Sequence, residues 1–218
     1  MITNSILVVL GFLLAVVLWQ MFKRSGKAGS AGKAVTPMTA AVAESIVNTK
    51  LSDAGKGDVI SITGGAQDFS DADFTVDRRS AYQHLERRWI DLSGDFRGNR
   101  VYLEVEPGRD SVTTLLDPRK LTLPEVGLTE DRLTELDSLQ DPSATLLWDG
   151  KSWNYVSSRE LGYFENEAGE GEGLYRWILR EAGGPRLLIV EKWEGEPFDV
   201  RLGRLVNIDD ITVYRASA

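Results

Sequence analysis

The sequence predicts a mainly β fold: an antiparallel barrel or sandwich of two similar β-meander halves with a short bridging helix, preceded by one N-terminal transmembrane helix. Three observations predict it. Short stretches alternate apolar and polar residues between glycine turns. A set of strand signatures recurs in the same order in both halves of the chain. Residues 6–22 form an unbroken uncharged apolar run.

That run reads ILVVLGFLLAVVLWQMF, 17 residues with Gln20 inside it. With the uncharged residues 1–5 it reaches about 20 residues, enough to cross roughly 30 Å of hydrocarbon as a helix. Lys23, Arg24, Lys27 and Lys33 follow it, and no charged side chain precedes it. A cleaved secretory signal carries its bases first, so an uncleaved helix over residues 1–22 is expected. The same asymmetry places the C-terminal side in the cytoplasm and the N-terminus outside. Trp19 suits the interfacial belt, and Lys23, Arg24 and Lys27 suit the headgroups that flank it. Residues 23–37, rich in Gly, Ala, Ser and Lys, read as a flexible basic linker. Thr36 and Pro37 then resemble an N-cap and first helical position, and Met38, Val42 and Ile46 recur every four residues, so residues 38–50 are expected to be a short helix.

Residues 57–215 read as one β-rich cytoplasmic domain. Residues 57–62 alternate and stop at Gly64 and Gly65. Phe74-Thr75-Val76 is a second strand. Residues 100–106 are a third, with Val101, Leu103 and Val105 on one face and Tyr102, Glu104 and Glu106 on the other. Residues 186–193 are an apolar run, residues 198–202 alternate, and residues 211–214 close the domain. Residues 129–139 read as the bridging helix: a Thr cap, acids in the first turn, and Leu133 and Leu136 three apart. Residues 80–91 fit two descriptions, because Tyr82, Leu85 and Trp89 also share a helical face. The internal repeat favours a strand, over residues 88–92. Arg88-Trp89-Ile90 recurs as Arg176-Trp177-Ile178, and each is followed by an arginine and an apolar strand, at Arg100 and Arg186. Each is preceded by an aromatic strand, Phe74-Thr75-Val76 and Trp153-Asn154-Tyr155-Val156.

The chain has no cysteine and one histidine, His84. Disulfides, thiolate metal sites, cysteine nucleophiles and two-imidazole sites are excluded. The first acid is Glu44; the 25 bases less the four before it leave 21 against 33 acids, a net charge of −12 on the following region. Such a surface repels nucleic acid and attracts cations, polyamines or basic partners. Gly150-Lys151-Ser152 lacks the earlier glycine of a phosphate loop, Thr145 standing in its place, and reads as a hairpin turn. Gly169, Gly171 and Gly173 alternate with acids that would repel a pyrophosphate. Glu165, Glu167, Glu170 and Glu172 lack the Asp/Asn pattern of a calcium loop. Glu104 and Glu106 read as alternating surface glutamates, and no cofactor is expected. Trp89, Trp153, Trp177, Trp193 and Glu191, in or beside strands, are the candidate partner or ligand surface.

The same residues carry a family likeness. Gly57-Asp58-Val59-Ile60, Phe74-Thr75-Val76, and Trp89 before residues 101–106 make one half of it. Residues 150–155, 191–195 and 198–203 make the other. Together they resemble the bacterial family catalogued as domain of unknown function 4178, over residues 57–214. The resemblance brings no activity and no catalytic residues. It implies a membrane-associated accessory role, through the family's association with envelope-stress proteins and polyamine-synthesis enzymes. The expectation is therefore a non-enzymatic domain at the bacterial inner membrane, anchored in the bilayer through residues 6–22 and recruiting a protein partner. The alternative is a binding domain for a cationic small molecule such as a polyamine.

Overall fold

The computed structural model describes residues 50–216. The expected span at residues 6–22, the linker, and all but the last residue of the helix expected over 38–50 lie outside the described residues. Among the described residues no helix is long and apolar enough to cross a membrane.

Twelve strands and one α-helix make up the described domain. The first half holds β1 (Val59–Ile62), β2 (Ala72–His84), β3 (Arg87–Phe96), β4 (Asn99–Val105) and β5 (Ser111–Leu115). A two-residue strand, β6 (Lys120–Leu121), precedes α1 (Glu130–Leu139). The second half holds β7 (Thr145–Trp148), β8 (Lys151–Phe164), β9 (Glu172–Glu181), β10 (Arg186–Trp193), β11 (Phe198–Asn207) and β12 (Ile211–Tyr214). All pairings are antiparallel, in the order β12-β1-β2-β3-β4-β5-β11-β10-β9-β8-β7. A further contact of β2 with β8, at Ala81↔Phe164, Tyr82↔Tyr163 and Gln83↔Gly162, closes eight of these strands into a ring.

The ring is not a clean barrel, and the reason lies in its two longest strands. The first part of β2 pairs with β1, and the first part of β8 pairs with β7. Only the far ends of β2 and β8 meet. Each changes direction at a register shift, between Val76 and Arg78 in β2 and between Tyr155 and Ser157 in β8. An extra residue bends a strand and raises its twist. Opposite the first bend stands Gly94, where a Cβ would lie 2.2 Å from the Thr75 carbonyl oxygen, so the backbones can approach there only without a side chain.

The two halves share this plan. Across the first, Ser80 faces Asp91, Asp91 faces Glu104, and Glu104 faces Thr113. Across the second, Arg159 faces Arg176, Arg176 faces Glu191, and Glu191 faces Asp199. Arg176 thus occupies the place of Asp91, not that of Arg88. The Arg-Trp-Ile repeat lies in matching strands but is offset by three residues from the structural equivalence. An odd offset reverses the side-chain face. Trp89 accordingly packs with Tyr82, Leu161 and Leu174, whereas Trp177 packs against α1 on the other side of the sheet.

Residues 80–91 form the hairpin of β2 and β3. Tyr82 and Trp89 share a face because the chain folds back between them and sets them opposite each other; Leu85 sits exposed at the tip with φ +54°. Asp149 and Gly150 both have positive φ between β7 and β8, as a tight two-residue hairpin turn requires. The helix α1 starts where the Thr129 side chain accepts a hydrogen bond from the Arg132 amide at 3.1 Å, and it buries Leu133 and Leu136. These cover the outer face of the second half, with Trp153, Tyr155, Leu179 and Leu188. Ile60, Phe74, Leu92 and Leu103 fill the outer face of the first half. Both faces of the ring wall are therefore covered, and side chains alternate between these outer cores and the ring's interior.

Candidate functional site

The interior is apolar in one region and charged in another. Leu115, Leu187 and Ile189, with Tyr102 and Ile178, form the apolar part. In the charged part Arg176 of β9 is buried. Its Nε donates to Glu191 Oε1 at 2.7 Å, and its Nη1 donates to Glu104 Oε2 at 2.8 Å. Its guanidinium lies 4.2 Å from the centre of the Tyr82 ring. The Trp89 indole N–H donates to Glu104 Oε2 at 3.3 Å. Burial alone would lower the arginine's pKa; the charges of Glu104 and Glu191 outweigh it and hold the pKa well above the ordinary value. Burial pushes the Tyr82 hydroxyl well up.

Two further arginines bring their own acids. Arg201 of β11 pairs with Asp199 through Nε at 2.7 Å and lies over the Tyr102 ring. Arg78 of β2 pairs with Glu165, which projects from the turn after β8, but its buried Nε has no hydrogen-bond partner among the described residues. Asp91 is the outlier. It is 1% exposed, and among the described residues neither carboxyl oxygen has a hydrogen-bond partner. Burial first, then the Glu104 carboxylate directly opposite, pushes Asp91 well above the usual aspartate range. The native form thus keeps a proton that the unfolded chain gives up near 3.8. The resulting stability is whole below that value and is lost as pH rises through the native pKa.

A cavity of about 180 Å³ opens beside this network. Tyr82, Tyr102, Tyr163 and Trp193 wall it, with the carboxylates of Glu104, Glu165 and Glu191 and the guanidinia of Arg78 and Arg201. At roughly 30 Å³ per water it has room for about six waters or one small molecule. Asp91 stands in the wall between β2 and β4, both of which line the cavity.

Of the residues singled out from the sequence, Glu191 and Trp193 line the cavity, and Trp89 lies inside the ring beside Glu104. Trp153 and Trp177 face the outer core, where their indole N–H groups donate to the carbonyls of Trp148 and Leu133 at 3.1 and 3.0 Å. Trp19, Lys23, Arg24 and Lys27 lie outside the described residues. Glu104, expected on a solvated face, is inside the ring. The acids of the 165–172 segment include Glu165 and Glu167, which are paired with Arg78 and Arg79. Among the described residues no three His, Cys, Asp or Glu side chains converge as a metal site.

Asp91, Arg78, Arg176, Arg201 and the three cavity tyrosines were not foreseen as site residues. One signal for them was present: Glu191 sits inside the apolar run RLLIVEKW, and an acid in a strand covered on both faces needs a buried cation beside it. Compared with family models, curated proteins and solved structures, the chain matches none.

Proposed function

We propose that this protein is a non-enzymatic, membrane-tethered binding domain whose ring takes up a small cation, an aliphatic amine of the polyamine class. The observation that carries the reading is the cavity, which three carboxylates and four aromatic rings line. Carboxylates supply charge, and aromatic faces attract ammonium groups with about 0.5–2 kcal/mol each. The interior leans acidic: Arg78, Arg176 and Arg201 face Glu104, Glu165, Glu191 and Asp199 before Asp91 is counted. The surface charge of the domain draws cations towards it. The apolar run at residues 6–22 supports the tether, with the domain on the cytoplasmic side. The test is calorimetric titration of spermidine and putrescine into the full-length protein in detergent at moderate salt. The expected result is a saturable heat with one site per chain; no saturable heat for either amine removes the proposal.

A second reading, recruitment of a protein partner at the inner membrane, rests on β7. Among the described residues this strand pairs with β8 alone and shows Leu147 to solvent, 79% exposed. An unpaired strand edge can accept a strand from a partner. Leu147→Lys should abolish any protein co-purified by the wild-type chain; an unchanged set of co-purified proteins would remove β7 from the account.

A further inference from the structure

We propose that amine uptake expels the proton of Asp91, so that the buried carboxyl becomes the counter-charge of the bound cation. This rests on the reading of the ring as a cation site and adds a regulation to it: occupancy is coupled to pH.

The geometry leaves Asp91 as the group able to do this. Every other carboxylate of the cluster already has an arginine. Glu104 and Glu191 share Arg176, Glu165 holds Arg78, and Asp199 holds Arg201. Among the described residues Asp91 has no hydrogen-bond partner on either oxygen. The groups around it are Arg78 and Tyr82 from β2, Glu104 from β4, Tyr163 from β8, Arg176 from β9 and Glu191 from β10. In the free protein Glu104 and Glu191 oppose a further negative charge at Asp91; Arg176 and Arg78 favour one, but Arg176 is shared by those two glutamates and Arg78 is held by Glu165, and burial outweighs both. Two buried carboxylates set opposite each other do not both ionise unless enough positive charge balances them, and Arg176 already balances Glu104 and Glu191. An ammonium group beside Glu104 and Glu191 reverses that balance. The step is then simple: the ligand enters with its positive charge, the Asp91 O–H bond breaks, the electron pair stays on the carboxylate, and the proton leaves to solvent. The released proton offsets one ammonium charge of the amine, which lowers the cost of burying that group; the remaining ammonium groups face Glu104, Glu165 and Glu191.

The experiment is calorimetry of spermidine binding to the full-length protein between pH 6 and 8, in buffers of different ionisation enthalpy. Aliphatic amines resemble the lysine side chain and stay protonated over this range. We expect about one proton released per spermidine and an affinity rising up to about tenfold per pH unit. Asp91→Asn should remove both the release and the pH slope, with near-UV circular dichroism confirming the fold; His84→Gln should leave them in place. Infrared spectroscopy gives a second readout: a protonated-carboxyl band that disappears in Asp91→Asn and on saturation with spermidine. Saturable binding without proton release, or an ionised Asp91 in the free protein, overturns the coupling and leaves the cation site standing. Absence of saturable binding overturns both.

Discussion

Arg176→Met should destabilise the domain by about 3–5 kcal/mol, because it leaves Glu104 and Glu191 buried with no cation between them. For a domain of this size that corresponds to a fall in melting temperature of roughly 6–20 °C. The cost belongs to the stranded carboxylates rather than to the lost arginine contacts. Replacing the group together, as Arg176→Met with Glu104→Met and Glu191→Met, should therefore recover most of the loss, since apolar side chains of similar volume substitute well for a buried ionic group. Thermal melts of the single and triple variants make the comparison. A single variant within about 1 kcal/mol of the wild type would show that water reaches these carboxylates freely.

Trp153→Ala should cost a similar amount, about 3–5 kcal/mol, by a different route. Its side chain is fully buried in the outer core of the second half. It packs against the Trp148 ring at 5.4 Å between centroids, and the Arg186 guanidinium covers it at 5.2 Å. Alanine would leave a cavity and strand the Trp148 carbonyl. Trp153→Phe should cost less, because it keeps most of the volume and loses the indole hydrogen bond. Chemical denaturation measures both. Because Trp153 faces away from the cavity, the folded fraction of Trp153→Ala should bind spermidine as the wild type does. A weakened affinity at full folding would mean that the outer core and the ring interior are energetically joined.

The strands were legible because alternation and glycine turns are local. The apolar run at β10 and the final strand β12 were read at their full extent. The capped helix α1 was legible for the same reason, Thr129 and Leu133 lying within one turn of each other. β5 was missed: Ser111–Leu115 has no aromatic residue and only two large apolar ones. The extension of β2 and β8 past their aromatic starts was missed because each bend adds a residue and breaks the period of two. The repeat was visible, but its register was not. Arg-Trp-Ile marked the correct strands while concealing a three-residue offset, and only the ladder shows that Asp91 stands where Arg176 stands in the other half.

The site was the least legible part, because it depends on closure. While the face bearing Tyr102 and Glu104 is taken as solvated, a glutamate there needs no partner. Once β2 meets β8, the same face turns inward, and each charge on it must find an opposite one. Arg176 and Glu191 are neighbours in the β9–β10 ladder, but Glu104 comes from the other half of the chain. No spacing in the sequence records that encounter.

A small amine seated in the ring's interior would be seen in a crystal structure of the protein grown with saturating spermidine. Density for the amine is expected between the Trp193 ring and the carboxylates of Glu104 and Glu191, with Arg176 still in place. Density for water alone in the cavity, with one water joining Arg78 Nε to Asp91, would contradict it.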